Sequence, residues 1–209
     1  MRKSILKTVG GAVLALAMAV SSFAVAPQAD AAKTYECRLV YMDDASVVTS
    51  FMANDKYAAT TTVKNAKGTN HYTVTLNRSA CCKQGTNTKS PASQKIAYTR
   101  VLCIDIVGIV ADYKVPSAAD KKVKPTKLKY SNVSIKKDGK DVKITQSKLD
   151  QGWIEDDTKN YRLDILNIWN RSAENYDSST LTCKTSCVKS LKAFNFKKSL
   201  SVSFDFTIK

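Results

Sequence analysis

The sequence predicts an antiparallel β-sandwich, and three observations lead there. Runs of alternating apolar and polar residues recur along the chain, β-branched and aromatic residues dominate them, and short turn signals separate them. The clearest run is "LKAFNFKKSLSVSFDF" (191–206). Phe194, Phe196, Leu200, Val202, Phe204 and Phe206 share one face; Asn195, Ser199, Ser201, Ser203 and Asp205 share the other; only Lys198 breaks the alternation. A period of two marks a strand with one dry face and one wet face.

Residues 1–31 stand apart from this pattern. They carry a basic start at Arg2, Lys3 and Lys7, an apolar run from Val9 to Val20, and small residues at Ala29 and Ala31 that suit a cleavage site. That is the pattern of a secretory signal peptide, and the run is short for a membrane span. Residues 32–209 then make a single domain with enough chain for one core. The whole chain carries a net charge of +15, so natural partners are anionic cell-wall polymers, acidic lipid headgroups or ligands carrying carboxylates. No second apolar span occurs. The expectation is a secreted, extracellular protein, at most loosely wall-associated, with no transmembrane segment in the mature chain.

The elements follow in order. "YECRLVYM" (35–42) puts Tyr35, Cys37, Leu39 and Tyr41 on one face. One short helical turn is expected near Ser50–Tyr57. "TTTVKNAKGTNHYTVTLN" (60–77) reads as a hairpin around Asn65–Asn70, with Tyr72, Val74 and Leu76 on one side. "VLCIDIVGIV" (101–110) is a short apolar run that predicts a buried strand. "NVSIKKDGKDVKITQ" (132–146) is a second hairpin, its Asp138-Gly139 pair suited to a tight primed turn. "NYRLDILNI" (160–168) alternates Tyr161, Leu163 and Ile165. Residues 81–95 and 116–127 read as loops, the latter part of a basic run at Lys121, Lys122, Lys124, Lys127 and Lys129.

Six cysteines lie beyond the signal segment: Cys37, Cys81, Cys82, Cys103, Cys183 and Cys187. An even number in an exported chain suggests up to three disulfides, with fifteen pairings open. Zinc is the competing reading, since Cys183 and Cys187 are four apart, although the usual two-residue spacing is missing.

The chemistry of catalysis is sparse, and the expectation is a protein that is not an enzyme. There is one histidine, His71, and most acid–base and triad schemes would have to use it. No nucleophile elbow, zinc-protease helix or phosphate-binding glycine loop occurs. Glu155, Asp156 and Asp157 form an acidic run that reads as a solvated loop rather than a glycosidase pair. Nucleic-acid binding is not expected either, because the aromatics fall on dry strand faces and the lysines on loops.

Two separated stretches resemble one family. "VTSFMANDKYAATTTVKNAKGTNHYTVTLNRSA" (48–80) is similar to the N-terminal part of a NEAT (near-iron-transporter) domain, where a strand leads to a short helical lip with an S-x-M…Y pattern and then to a Thr/Val-rich hairpin. "LKAFNFKKSLSVSFDF" is similar to that family's C-terminal hairpin. The middle strands "SNVSIKKDGKDVKITQS" and "NYRLDILNI" also resemble theirs, in the same order. Residues from about 81 to 127 have no counterpart and would be an insertion.

The resemblance implies an immunoglobulin-like fold for residues 32–209 and a role in haem uptake at bacterial surfaces. It places a ligand between the lip and the C-terminal hairpin. Ser50 matches the lip serine that contacts a haem propionate, and Phe51, Met52 and Tyr57 line the lip. Phe194, Phe196, Leu200 and Val202 would form the opposite wall. Phe196 stands where the iron-ligating tyrosine would be, and Leu200 where its supporting tyrosine would be; neither side chain offers a donor.

Three readings follow. Haem is bound with Met52, or else Tyr57, as axial ligand, thioether sulfur being a known ligand, while Lys197 and Lys198 pair with the propionates. Alternatively the partner is a haemoprotein, as in family members that also lack the tyrosine pair. In the third reading the chain is a cell-surface adhesion or protein-interaction sandwich that does not bind haem, held to wall polymers by its basic loops.

Overall fold

The computed structural model describes residues 33–48, 59–86, 88–89, 94–113, 127–154, 160–169 and 173–209. Their strands are β1 (Thr34–Asp43), β2 (Ser46–Val48), β3 (Ala59–Lys64), β4 (Gly68–Asn77), β5 (Cys82–Lys83), β6 (Thr99–Ile106), β7 (Leu128–Lys137), β8 (Lys140–Val142), β9 (Asp150–Ile154), β10 (Tyr161–Asn167), β11 (Tyr176–Asp177), β12 (Thr182–Cys183) and β13 (Ser199–Ile208). The protein is all-β and its strand pairs are antiparallel. The helical turn expected near Ser50–Tyr57 lies outside the described residues.

A large sheet runs in the order β5-β2-β1-β6-β10-β9, with β3 also paired to β1; a four-stranded sheet runs β4-β13-β7-β8. The expected faces appear. Tyr35, Cys37, Leu39 and Tyr41 of β1, and Tyr161, Leu163 and Ile165 of β10, enter one core with Val74 and Leu76 of β4 and Leu200, Val202, Phe204 and Phe206 of β13. That core is the seam between the two sheets, as a sandwich requires.

Every residue of β10 is buried, so its sequence alternation reflects two dry faces rather than one. The buried strand expected at 101–110 is β6, pairing β1 on one side and β10 on the other. It falls inside the span read as an insertion. The described part of 81–127 therefore supplies an inner strand of the large sheet, β6.

In the small sheet β13 is central and strictly alternating, buried at every second residue. Its wet face meets β4 in cross-strand hydroxyl pairs: Thr69–Thr207 at 2.8 Å, Thr73–Ser203 at 2.8 Å and Thr75–Ser201 at 2.9 Å. Such facing pairs help fix register. The β7–β8 hairpin forms as expected, with Asp138 at φ 49° and Gly139 at φ 81°, the left-handed pair of a primed turn. The Asp138 carboxylate then accepts the backbone N–H groups of Lys197, Lys198 (2.6 Å) and Ser199 (3.1 Å), which pins the start of β13 to that turn.

Two expected hairpins take other forms. β3 pairs with β1 in the large sheet while β4 pairs with β13 in the small one. The turn at 65–67 is thus an arch between sheets, because a β3–β4 ladder would leave the β1 edge unpaired. The C-terminal stretch, which reads as a last strand or pair of strands, gives one strand: Leu191–Phe194 form turns and regular pairing begins at Ser199.

Aromatic packing closes the seam. Tyr130 stacks on Tyr161 (centroids 5.3 Å, interplanar 8°) and meets Phe204 and Phe206 at 5.5 and 5.1 Å. Their hydroxyls are satisfied by backbone, Tyr130 Oη donating to Tyr161 O and Tyr161 Oη to Leu128 O, each at 3.0 Å. Burying each Phe ring stabilises the fold by about 2–3 kcal/mol.

Candidate binding site

The wall residues proposed from sequence are core. Phe194, Leu200 and Val202 are 0 % exposed and Phe196 is 3 % exposed, within the seam between the sheets. Phe196 precedes β13 and packs edge-on against Tyr41 at 5.2 Å. Ser50, Phe51, Met52 and Tyr57, with the metal role expected of Met52, lie outside the described residues, as do Glu155–Asp157 and Lys121, Lys122 and Lys124. Lys197 and Lys198 are exposed, and Lys129 lies on β7. His71 lies within β4, where Nδ1 meets Asp205 Oδ1 at 2.8 Å on the wet face. Asn132 Nδ2 donates to the other Asp205 oxygen at 2.7 Å.

A polar cluster sits where β1 hands over to β2, just before the segment that carries the lip residues in sequence. Asp43 makes that turn. Its Oδ1 accepts the backbone N–H of Ala45 (2.8 Å) and of Ser46 (2.5 Å), as aspartate does in tight turns. Its Oδ2 accepts Tyr41 Oη (3.0 Å), Ser46 Oγ (2.6 Å) and Arg78 Nη1 (2.8 Å). Arg78 comes from the 3-10 turn Arg78–Ala80 that follows β4, and its backbone N–H donates to Lys198 O at 2.8 Å. Its guanidinium carbon stands 5.7 Å from the centre of the Phe196 ring, a cation–π distance.

The pair is almost wholly buried, Arg78 at 2 % and Asp43 at 0 %. Burial works against the Arg78 charge, and neighbouring Asp43 more than offsets it, so its pKa is raised. Nη1 is fully used, donating also to Ser46 Oγ at 2.9 Å. Nε and Nη2 are buried and meet no oxygen or nitrogen partner, although Arg78 also makes a weak hydrogen bond with the Cys81 thiol. Leaving buried donors unpaired costs about 1–3 kcal/mol, and these two form the guanidinium edge that takes a carboxylate with two parallel bonds. Cys81 lies beside it; burial pushes its thiol up to about 12 despite the Arg78 charge.

A second buried network lies on the outer face of the large sheet, where β1, β6 and β10 align Arg38, Asp105 and Arg162 in one row and Val40, Cys103 and Asp164 in the next. Cys103 Sγ donates to Asp164 Oδ1 at 2.6 Å. Desolvation pushes Asp164 up to about 6, the Cys103 hydrogen bond and Arg162 pulling against it. These charges passed unremarked in the sequence reading. The signal was there: an acid within "VLCIDIV" and an arginine and an acid within "YRLDIL" are charges inside apolar strands, which fold only when paired.

The six cysteines are unbonded and buried. Of the up to three disulfides expected from sequence none is formed, and within residues 81–127 placement keeps Cys103 from bonding Cys81 or Cys82. Cys103 faces outward with Val40, Met42, Val47 and Val101, while Cys81 enters the seam. Cys82 pairs with Val47, three strands from β6, about 14 Å at ordinary strand spacing and twice the reach of a disulfide. Among the described residues no group of three His, Cys, Asp or Glu could hold a metal, nor is any helix long and apolar enough to cross a membrane.

Set against protein-family models, curated proteins and solved structures, the chain matches none. The NEAT resemblance therefore rests on the motifs quoted above. For haem, the described residues fit in part: the aligned positions Phe196 and Leu200 hold no donor for iron, whereas the buried Nε–Nη2 edge of Arg78 has the geometry that takes a carboxylate.

Proposed function

We propose that this chain is an exported sandwich that binds a carboxylate-bearing ligand, with haem or a haemoprotein in iron acquisition the leading case. The observation that supports it is the buried Arg78 edge beside an aromatic ring, held by Asp43 and Ser46, which precede the lip segment in sequence. A ligand carboxylate there would remove the cost of the two unpaired donors. No iron ligand is assigned from β13 or its approach.

A second reading, a surface adhesion or protein-interaction sandwich that does not bind haem, is favoured by the burial of Phe194, Phe196, Leu200 and Val202. A face already packed in the seam offers no wall to a macrocycle. Its basic residues would then hold it to anionic wall polymers.

Haemin titration of the mature chain separates the two. A saturable, shifted Soret band supports haem binding, and its loss in Met52→Ala would assign the axial ligand. No band, together with capture of a haemoprotein, supports the haemoprotein form. No band, no capture, and salt-reversible retention on isolated cell walls supports the second reading.

A further inference from the structure

The six thiols can be sorted by position. Cys37 is paired with Ile106 at one end of β1, while Cys81 lies near Asp43 at the other, about 20 Å along the strand. Cys103 is on the opposite face of the sheet from both. Cys187 donates its thiol to Ile165 O on β10 at 3.1 Å, four residues from Tyr161, whose row contains Cys37. β6 stands between Cys187 and the Tyr41 that neighbours Cys81.

Cys183 and Cys187 are different. Both lie in the seam, 3 % and 2 % exposed, in a loop closed by three backbone contacts. Leu191 N donates to Leu181 O (2.9 Å), Cys183 N donates to Lys189 O (3.0 Å), and Thr182 bridges Ser190. Continued one step past Cys183 and Lys189, that antiparallel register puts Cys187 diagonal to Cys183. Diagonal neighbours stand about 7–8 Å apart at Cα, with Cβ atoms closer, so bonding needs the short loop to draw in slightly. Each thiol influences its surroundings within this loop: Cys183 meets Thr185 Oγ1 at 3.2 Å, and its proximity adds to the upward push that burial gives Cys187.

We propose that Cys183 and Cys187 are the site of a single intramolecular disulfide, and that Cys37, Cys81, Cys82 and Cys103 remain thiols. The oxidant is a disulfide of the low-molecular-weight or oxidoreductase class. One cysteine, as thiolate, attacks it and displaces the first thiolate, giving a mixed disulfide. The second cysteine attacks the protein-side sulfur and displaces the other. Two electrons and two protons leave the protein and are recovered as two reduced thiols. The bond forms before the loop docks, because the docked thiols are covered. It locks the loop that accepts Thr145 N at Cys187 O (2.8 Å), replacing the thiol's bond to Ile165 O, which oxidation removes.

The test is refolding of the full chain in a reduced and oxidised glutathione mixture, then denaturation, alkylation and tryptic mapping without reduction. Cleavage after Lys184 separates the two cysteines, so the bond appears as peptide 172–184 linked to 185–189. The expected map holds that linked pair at high yield, with Cys37, Cys81, Cys82 and Cys103 alkylated. Alkylated Cys183 and Cys187, or any linkage involving the other four, overturns the proposal. In Cys187→Ser, the Cys183 peptide should be recovered as free thiol or glutathione adduct; its appearance linked to another cysteine of the chain overturns it equally.

Discussion

Arg162 grips Asp105 across the β6–β10 ladder with both prongs of its guanidinium: Nε to Oδ1 and Nη2 to Oδ2, each at 2.7 Å. Asp105 is 0 % exposed and Arg162 6 %. A buried pair need not stabilise relative to an apolar pair, but breaking it strands a charge. Arg162→Met is expected to destabilise by about 3–5 kcal/mol, and combining it with Asp105→Leu should recover much of that. Urea denaturation of the single and double variants checks the order; equal loss in both would contradict it.

Asp164 makes stability depend on pH. Its carboxyl is pushed up to about 6, desolvation outweighing the Cys103 hydrogen bond and the nearby Arg162, with Asp105 and Asp150 adding to the rise. The folded state therefore holds this proton more tightly than the unfolded chain. The group's contribution is full below about pH 4 and is lost as pH rises through about 6. Asp164→Asn, neutral throughout, is expected to be more stable than the parent by about 2–3 kcal/mol at pH 8. The difference should close toward pH 4, and a thermal series across that range reads it.

Phe196 separates core from ligand wall. Its ring packs on Tyr41 and under Arg78, so Phe196→Ala is expected to cost about 3 kcal/mol or more. An open wall residue would change stability by about 0.5 kcal/mol or less. Chemical denaturation without ligand distinguishes them.

Asp138 should matter more than its exposed position suggests. Partial burial pushes its carboxyl up, but the N–H groups of Lys197, Lys198 and Ser199 hold it below the usual range. This contribution is present above pH 4 or so and is lost as pH falls through the lowered folded value. Asp138→Ala should destabilise by about 1 kcal/mol and speed hydrogen exchange more at the start of β13 than at its middle. An unchanged denaturation midpoint would contradict the pin.

The strand faces were legible because burial on one side writes a period of two into the chain, as in Tyr35, Cys37, Leu39 and Tyr41. The Asp138-Gly139 turn was legible because only certain residues take its left-handed pair. Pairing partners were not: β3 and β4 look like two arms of a hairpin, but which sheet each joins is decided by the open β1 edge, a long-range matter. The Arg78 cluster was equally hidden. Asp43, Ser46 and Arg78 are 35 residues apart at most in the closing contact, and nothing local in "LNRSA" announces that its arginine turns inward.

The most direct test of the proposed function compares haemin with its propionate diester against the mature chain. If the Arg78 edge takes a carboxylate, haemin gives a saturable Soret shift and the diester binds at least about tenfold more weakly, in line with losing one charge-assisted pair of about 1.5–3 kcal/mol. Equal binding of haemin and diester, or no saturable band together with no haemoprotein capture, would contradict it.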